Sequence, residues 1–415
     1  MTAATPVAAA ALWIRLLLLA GGIALAWLSV RQAAIGLWQT KRPDRAVAFA
    51  PAAGGALANL AQARIIGAGG DVDPAARALV ARSMRGIPGG AVPITLAGLA
   101  ASADGDTARA QALMTMARNR EPRADIARYW LLDHYIRVGD YPAALGEIGP
   151  AMRLRPGTRE PILALVAALL EEPKGAEAVR AALATDPDWR GAFFAVRAGA
   201  GTDPLALLAL LTRLPPPTDP ARAAAEQRAV LRAAIAQGQY NAAYRAWRGF
   251  LPAEHRLRAL GVYDPNFAGL PGPSPFNWTR VDSAAGEASM ARARDLPEGS
   301  AMTLAFHGAA PAVLIEQYAL ATPGAATLSL RARMTGGDPV GSLTARVRCA
   351  QDESLLAELA LPTASAPIRR YAATFTVPPR CTAVRVQFAG EPGERFGEIR
   401  VAVTGVDLRQ SPAPT

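Results

Sequence analysis

The sequence predicts a multidomain protein with an N-terminal transmembrane helix, an all-α superhelix and a C-terminal all-β sandwich of the jelly-roll kind. Three observations predict this fold class. An apolar stretch covers residues 7–30, small and apolar residues recur every 34 positions in the middle, and the periodicity changes from 3.6 to 2 after Phe276. A chain of 415 residues is long enough for several separate cores.

These patterns predict five segments along the chain. They are a membrane anchor with its juxtamembrane segment (1–45), helical repeats (46–260), a Pro/Gly linker (261–275), the sandwich (276–410) and a short tail (411–415).

The apolar stretch, VAAAALWIRLLLLAGGIALAWLSV, contains a single charged residue, Arg15. It exceeds the roughly 20 residues that cross a bilayer, and Arg15 can extend to the lipid headgroups. A cleaved signal peptide is the alternative. However, Arg31 and Gln32 stand where a cleavage site needs small residues, so an uncleaved anchor is favoured.

The side of the membrane on which the body lies is open from charge alone. Arg31, Lys41, Arg42 and Arg45 follow the apolar stretch, and the positive-inside rule taken literally keeps the body in the cytoplasm. The cysteine pair and a secreted-type sandwich favour the other side. We expect a single-pass protein of the inner membrane with a periplasmic body.

The net charge of +10 lies mainly in the anchor and the helical middle, because the region after residue 275 holds 14 arginines against 13 acidic residues. A basic surface can attract anionic lipid, glycan or nucleic acid. No nucleic-acid motif is present, and we expect no nucleic-acid partner. The alternatives are a solvated surface that reflects an Arg-rich composition and a surface with a functional anionic partner.

Cys349 and Cys381 are the only cysteines, and both fall in predicted strands or strand starts. Their spacing fits no zinc pattern. In an oxidising compartment they are candidates for a disulfide, whereas in the cytosol they would be two core thiols.

Residues 125–158, DIARYWLLDHYIRVGDYPAALGEIGPAMRLRPGT, predict two helices joined by a turn at Gly139. On the second helix, small Ala144 and Ala151 flank Ile148 and allow close packing, and Pro156 ends the helix. The same skeleton recurs 34 residues earlier at Gly98, Gly105, Asp106, Ala110, Met114, Ala117 and Pro122. Further copies lie before these two, at residues 64–88, and near the end of the helical segment, at residues 238–250. This period and these positions resemble the tetratricopeptide repeat.

The resemblance is strongest over residues 91–158 and degenerate over residues 158–217. It implies antiparallel helix pairs stacked into a superhelix whose concave groove binds a partner protein. Carried over by phase, the groove residues are Tyr129, Asp133, Arg137, Arg228 and Arg232. The alternative is that these are ordinary polar residues on solvated helix faces.

Residues 264–275, DPNFAGLPGPSP, lack periodicity and predict the linker. About ten short strands follow, and Leu328, Leu330 and Met334 alternate with polar residues as in a half-buried strand. The strand order resembles galactose-binding-like and carbohydrate-binding-module jelly rolls. It places Gln317-Tyr318 before a turn and EIRVAVTGVDLR as the closing strand.

That resemblance implies sugar binding through exposed aromatic and polar side chains. The candidates are Trp278, Gln317, Tyr318 and Tyr371, and the alternative for the aromatic residues is packing in the core or at a strand edge. The closing strand lacks the Asp-Asp pair that often ligates calcium in such domains. We therefore expect no metal.

No P-loop, G-x-S-x-G or H-E-x-x-H motif occurs. His134, His255 and His307 are scattered over two predicted segments and suggest no triad. The sequence therefore indicates no catalytic residue and no cofactor, and we expect a protein that is not an enzyme.

Together these patterns favour a membrane-anchored scaffold or adaptor of a bacterial cell envelope. Its repeat groove would bind a partner protein. We expect this partner to belong to exopolysaccharide or envelope assembly. The alternative is a glycan-binding module displayed on a helical spacer, and a cryptic hydrolase or transferase is a third hypothesis.

Overall fold

The computed structural model describes residues 6–258, 261–293, 296–308, 310–337, 341–394 and 397–411. The chain forms two compact units, Met1–Val179 and Arg180–Thr415. Of the predicted tail, residues 412–415 lie outside the described part of the chain. The predicted order of helices followed by a β-sandwich is confirmed.

The first unit is helical, and α10 runs across the division between the units. Its helices are α1 (Pro6–Trp38), α2 (Pro43–Phe49), α3 (Gly54–Gly67), α4 (Pro74–Gly86), α5 (Ala91–Ala103), α6 (Thr107–Arg120), α7 (Asp125–Val138), α8 (Tyr141–Leu154), α9 (Arg159–Ala168) and α10 (Pro173–Ala184), with 3-10 turns at Pro156–Thr158 and Leu169–Glu171.

Helix α1 contains the predicted apolar stretch and continues to Trp38. Its segment Arg15–Trp38 is long and apolar enough to cross a membrane by length and composition, a test that a signal sequence also passes. The ring of Phe49 on α2 lies 5.8 Å from that of Trp27 and 6.1 Å from that of Trp38. Helix α2 therefore packs back along the C-terminal part of α1.

The 34-residue phase coincides with burial in three successive helix pairs, α3–α4, α5–α6 and α7–α8. The buried positions are Ala76, Ala110 and Ala144, then Val80, Met114 and Ile148, then Ser83, Ala117 and Ala151. Small residues let the paired helices approach closely. A Cβ built on Gly98 would lie 3.0 Å from Cε of Met114, so this position has little room for a side chain.

The second helix of each pair begins with the same capping device. The side chains of Asp73, Asp106 and Asp140 each accept a hydrogen bond from a backbone N–H in the first turn of α4, α6 and α8. Just before the caps, Gly105 and Gly139 adopt φ of 77° and 75°, a region that favours glycine. The caps and turns thus repeat with the core positions.

The second unit contains the end of α10, four further helices in its described residues, and the sandwich. The helices are α11 (Arg190–Gly199), α12 (Pro204–Arg213), α13 (Pro220–Ala236) and α14 (Tyr240–Phe250), followed by a 3-10 turn at Ala253–Arg258. The division between the compact units therefore falls before α11, and the predicted repeat segment 46–260 is shared between them.

The sandwich consists of two five-stranded antiparallel sheets. The strands are β1 (Thr279–Arg280), β2 (Gly286–Arg292), β3 (Ser300–Phe306), β4 (Ala312–Leu320), β5 (Gly324–Gly337), β6 (Gly341–Cys349), β7 (Leu355–Ala360), β8 (Arg369–Val377), β9 (Ala383–Pro392) and β10 (Ile399–Gln410). Sheet A has the order β1-β4-β9-β6-β7, and sheet B has the order β2-β3-β10-β5-β8. Apolar side chains of both sheets, among them Phe306, Leu330, Val347, Phe388 and Val403, form one core between them.

The segment predicted as a linker is packed into this core, and we call residues 261–278 the strap. Tyr263 and Phe267 are each 1% exposed. The amide of Gln317 accepts from the backbone N–H of Tyr263 (2.9 Å) and donates to its carbonyl (2.8 Å). The Asp264 carboxylate accepts hydrogen bonds from three backbone N–H groups further along the strap. The strap is therefore part of the sandwich, which corrects its interpretation as a linker.

Aromatic side chains join α14 to the strap and the sandwich. The Trp247 ring lies 5.1 Å from the ring of Tyr263 and 5.6 Å from that of Phe276, and its Nε1–H donates to the Pro273 carbonyl (2.9 Å). The Tyr240 hydroxyl donates to the carbonyl of Ala350 in the loop after β6 (2.7 Å). Helix α14 is consequently packed against the sandwich within the second unit.

Candidate binding face on the sandwich

Polar side chains cover the outer surface of sheet A, where alternate residues of each strand point away from the core. Strand pairing arranges them in two neighbouring rows. One row is Glu316, Gln387, Arg346 and Glu358, and the other is Tyr318, Arg385 and Arg348. We call these seven residues the sheet-A face. With strands about 4.8 Å apart, four positions span roughly 14 Å.

Hydrogen bonds hold the side chains of the first row. Nε2 of Gln387 donates to Oε2 of Glu316 (2.8 Å). The Arg346 guanidinium donates from Nε to Glu358 and from Nη2 to Glu391, both at 2.8 Å. Arg346 is therefore fixed between two carboxylates while its side chain keeps 16% exposure.

Arg385 is the central residue of the second row. Its guanidinium lies over the Tyr318 ring, 5.8 Å from the centroid, pairs with Glu353 and lies 3.6 Å from the Glu316 carboxylate. The Tyr240 ring of α14 stacks beside Tyr318 at 6.3 Å. The Tyr318 ring is thus held between neighbours and is not an open platform.

Charge pairing governs the protonation of this face. Burial acts to lower the pKa of Arg346, but the hydrogen bonds that Arg346 donates to the carboxylates of Glu358 and Glu391 outweigh burial and raise that pKa above its usual value. The hydrogen bond with Arg346 lowers the pKa of Glu358. Both groups remain charged at neutral pH, so the first row presents fixed donors and acceptors.

Of the four residues predicted to bind glycan, the structure places only Tyr318 on the sheet-A face. Gln317 points to the opposite side of the strand, is 0% exposed and binds the strap. Trp278 is 8% exposed, and its Nε1–H donates to the Asp264 carbonyl at 3.0 Å. Tyr371 lies on β8 of sheet B and packs against the core. Burial and internal hydrogen bonds therefore correct the interpretation of Trp278 and Gln317 as sugar contacts.

The residues predicted to line a groove fall in both compact units. In the first unit, the Tyr129 hydroxyl contacts the hydroxyl of Thr158 (2.8 Å), and exposed Asp133 and Arg137 pair with each other along α7 at 2.5 Å. In the second unit, Arg228 and Arg232 lie on α13, half-buried and exposed respectively. Asp133, Arg137 and Arg232 are therefore accessible on their own helices.

Cys349 at the end of β6 and Cys381 just before β9 form a disulfide, with Cα atoms 5.6 Å apart. This separation is typical of disulfides. Both sulfurs belong to the core between the sheets. Within the described ranges, no group of three or more His, Cys, Asp and Glu side chains could hold a metal ion.

The residues predicted from the sequence to bind glycan do not include Glu316, Arg346, Glu358, Arg385 and Gln387. A signal for them was present, since Thr344, Arg346 and Arg348 alternate with apolar residues, as do Arg385 and Gln387. Arginine, carboxylate and amide groups together offer donors and acceptors in a fixed plane. Such an arrangement can bind a ligand with many hydroxyl groups.

No protein-family model and no curated protein sequence matches this chain, so the tetratricopeptide resemblance stays a prediction.

Some solved structures align with about a third of the chain. One is the enzymatically active domain of bacteriophage CBA120 tailspike protein 4 (17% identity, TM-score 0.25, 32% of this chain and 19% of that one). Another is the N-terminal cellulose-binding domain of Cellulomonas fimi β-1,4-glucanase C (16% identity, TM-score 0.20, 34% and 99%). A third is the CBM22-1 xylan-binding domain of Paenibacillus barcinonensis Xyn10C (7% identity, TM-score 0.24, 33% and 87%). Similarity at this level carries no argument about the family or function of the chain.

Proposed function

We propose that this protein is a membrane-anchored, non-enzymatic binding protein whose sandwich binds a polysaccharide through the sheet-A face. The observation that carries the proposal is the pair of rows in which Arg346, Arg385 and their carboxylate partners lie side by side on one sheet, with Gln387, which is 4% exposed, holding Glu316 in place. Sugar hydroxyls both donate and accept hydrogen bonds, and the face offers partners for both.

The geometry favours hydrogen bonding over ring stacking as the main source of affinity. Tyr318 is already in contact with Tyr240 and Arg385. The ordered ion pairs keep the polar atoms in place before a ligand arrives, which reduces the entropy lost on binding. The face carries both signs of charge, so a neutral polysaccharide suits it better than a strongly anionic one.

A glycan array tests the proposal. We would apply the detergent-solubilised full chain to neutral β-glucans, xylans and uronate-containing polysaccharides. We expect binding to a neutral polysaccharide that is lost in Arg346→Ala and Arg385→Ala. The control is Arg409→Ala, which removes an exposed arginine on sheet B that pairs with Asp407. A blank array, or equal losses in all three variants, would rule out the sheet-A face.

The helical pairs support a second function, the binding of a partner protein during envelope or exopolysaccharide assembly. The specific observation is the accessible Asp133–Arg137 pair on α7, one of the helices that the repeat resemblance assigns to a groove. Crosslinking in membranes tests it. A partner recovered with the wild type should be lost with Asp133→Ala/Arg137→Ala, and recovery that does not change would contradict this role.

We place the body of the protein on the periplasmic side. The support is the disulfide between Cys349 and Cys381, since such bonds persist in oxidising compartments. The basic residues after the apolar stretch favour the opposite orientation. A reporter fused after Thr415 that is active only outside the cytoplasm would support the periplasmic assignment, and one active only in the cytoplasm would overturn it.

A further inference from the structure

The turns that connect successive helix pairs in the first unit contact one another along one edge of the helical stack. Nη2 of Arg82, near the end of α4, donates to the Pro51 carbonyl before α3 (2.7 Å). Nη1 of Arg120, at the end of α6, donates to the Gly89 carbonyl before α5 (3.3 Å). An ion pair makes the same connection between the end of α8 and the start of α7. We call residues 82–90, 118–125 and 153–160 the basic edge.

Charge is distributed unevenly between the two ends of these helices. The basic edge contains eight arginines and three acidic residues. The turns at the opposite ends of the same helices, residues 66–74, 102–109 and 137–144, contain two arginines and five aspartates. Several exposed arginines of the basic edge have no carboxylate partner among the described residues, namely Arg82, Arg85, Arg120, Arg123 and Arg159.

Helix dipoles explain only part of this distribution. A helix C-terminus favours arginine, as at Arg85 and Arg120, and an N-cap favours aspartate. Arg159 is instead the first residue of α9, and Arg123 lies two residues before α7. A positive charge is unfavourable near a helix N-terminus. The dipoles therefore do not account for these two arginines, and an anion outside the protein would.

The basic edge begins beside the C-terminal part of α1. The Phe49 ring, at the end of α2, lies 6.1 Å from the Trp38 ring. Nδ2 of Asn59 on α3 donates to the Gln39 carbonyl, just after α1 (2.7 Å). The turn between α2 and α3, which accepts the hydrogen bond from Arg82, therefore lies next to the place where α1 would leave a bilayer. The opposite edge begins only after α3, a helix about 20 Å long.

We propose that the basic edge binds the anionic headgroups of the bilayer in which α1 is anchored, an inference that rests on the proposed membrane anchor. Guanidinium groups stay charged at neutral pH and donate paired hydrogen bonds to phosphate oxygens. The anchor holds the edge near the lipid surface, so individually weak contacts act at a high local concentration. Each arginine near an anionic membrane surface contributes about fivefold in affinity.

Energy transfer from a dye at either end of α6 to acceptor-labelled lipid tests the proposal. Asn119→Cys places the dye on the basic edge and Ala108→Cys places it on the opposite edge. Both positions are exposed, and the helix separates them by about 16 Å. The native cysteines are joined in a buried disulfide and do not compete for the dye. The full chain is reconstituted in nanodiscs of phosphatidylcholine, with or without added phosphatidylglycerol.

We expect phosphatidylglycerol to raise the transfer from Asn119→Cys at least twofold more than the transfer from Ala108→Cys. The rise should disappear at 1 M NaCl, where the Debye length is about 3 Å. Arg85→Gln/Arg123→Gln should remove most of the rise. The matched control Arg77→Gln/Arg109→Gln, which removes two arginines near the opposite edge, should keep it. No response to phosphatidylglycerol, or a larger rise at Ala108→Cys, would overturn the inference.

Flotation separates a failure of the anchor from a failure of the basic edge. The full chain should float with phosphatidylcholine vesicles and resist alkaline extraction, because α1 anchors it without anionic lipid. A chain that does not float overturns the anchor and this inference with it. A chain that floats, does not respond to phosphatidylglycerol and binds soluble polygalacturonate through Arg85 and Arg123 would assign the edge to an acidic polysaccharide and refute lipid binding.

Discussion

Replacing Trp247 with alanine tests whether α14 and the sandwich form one folded unit. The side chain is 0% exposed and contacts the rings of Tyr244, Tyr263 and Phe276. Truncation of a buried Trp or Phe costs about 3–5 kcal/mol. Loss of the hydrogen bond to the Pro273 carbonyl is part of this cost, at about 1 kcal/mol. Since domains are stable by only about 5–15 kcal/mol, Trp247→Ala should remove a large fraction of the stability of the second unit.

The intermediate variant Trp247→Phe keeps most of the apolar contact and lacks the donor. We expect it to be destabilised by about 1–3 kcal/mol, between the wild type and Trp247→Ala. Guanidinium unfolding gives the free energies, and hydrogen exchange with mass spectrometry reports on the strap and on β4. The matched control is Val138→Ala, because Val138 is an exposed apolar residue in the first unit. A loss below 1 kcal/mol in Trp247→Ala, with unchanged protection of the strap, would refute the packing argument.

Three further predictions concern other parts of the chain. Cys349→Ser/Cys381→Ser removes a bond that spans 32 residues, and under the loop-entropy account it should cost about 3–4 kcal/mol, read from the melting temperature against the oxidised wild type. Glu147→Ala leaves Arg118 and Arg128, two partly buried arginines, without their carboxylate partner. It should cost about 3 kcal/mol in urea unfolding, and a cost below 1 kcal/mol would show that the pairs add little. The hydrogen bond from Arg64, together with that from the backbone N–H of Ala76 in the first turn of α4, lowers the pKa of Asp73 to about 2. The stability that it contributes is therefore present above its ordinary pKa of 3.8 and lost as the pH falls towards 2. NMR titration should find that pKa, and Asp73→Asn should lack this part of the acid dependence.

The repeat phase and the strand pattern could be predicted because they depend on periodicity alone. Ala110, Met114 and Ala117 were placed on one helix face, and the structure buries all three. Alternation likewise predicted that Leu328 and Leu330 face the core. In both cases the burial of one face determines which residues recur, so the sequence carries the information locally.

The strap could not be predicted, because its Pro and Gly content is also typical of a flexible linker. Tertiary contacts in the folded structure distinguish the strap from a linker. Gln317 on β4 binds Tyr263, and Trp278 donates to the Asp264 carbonyl. No periodic pattern records contacts between a strand and an irregular segment 54 residues away in sequence.

The candidate site was missed for a related reason. Exposed aromatic residues are the usual sequence signal of a sugar-binding face, and the buried partners of Trp278 and Gln317 are not visible in the sequence. The polar row that includes Arg346 and Gln387 depends on which strands are neighbours, and β9 lies between β4 and β6 although it follows them in the chain. Strand order of this kind is set by the whole fold and cannot be obtained from a single strand.

The most direct test of the central claim is calorimetric titration of the polysaccharide preferred on the array into the wild type and into Arg346→Ala. A hydrogen bond to a charged group contributes about 1.5–3 kcal/mol, so the variant should bind about 10- to 150-fold more weakly. Arg409→Ala should bind like the wild type. Equal affinities of wild type and Arg346→Ala, in a variant that keeps its melting temperature, would contradict polysaccharide binding by the sheet-A face.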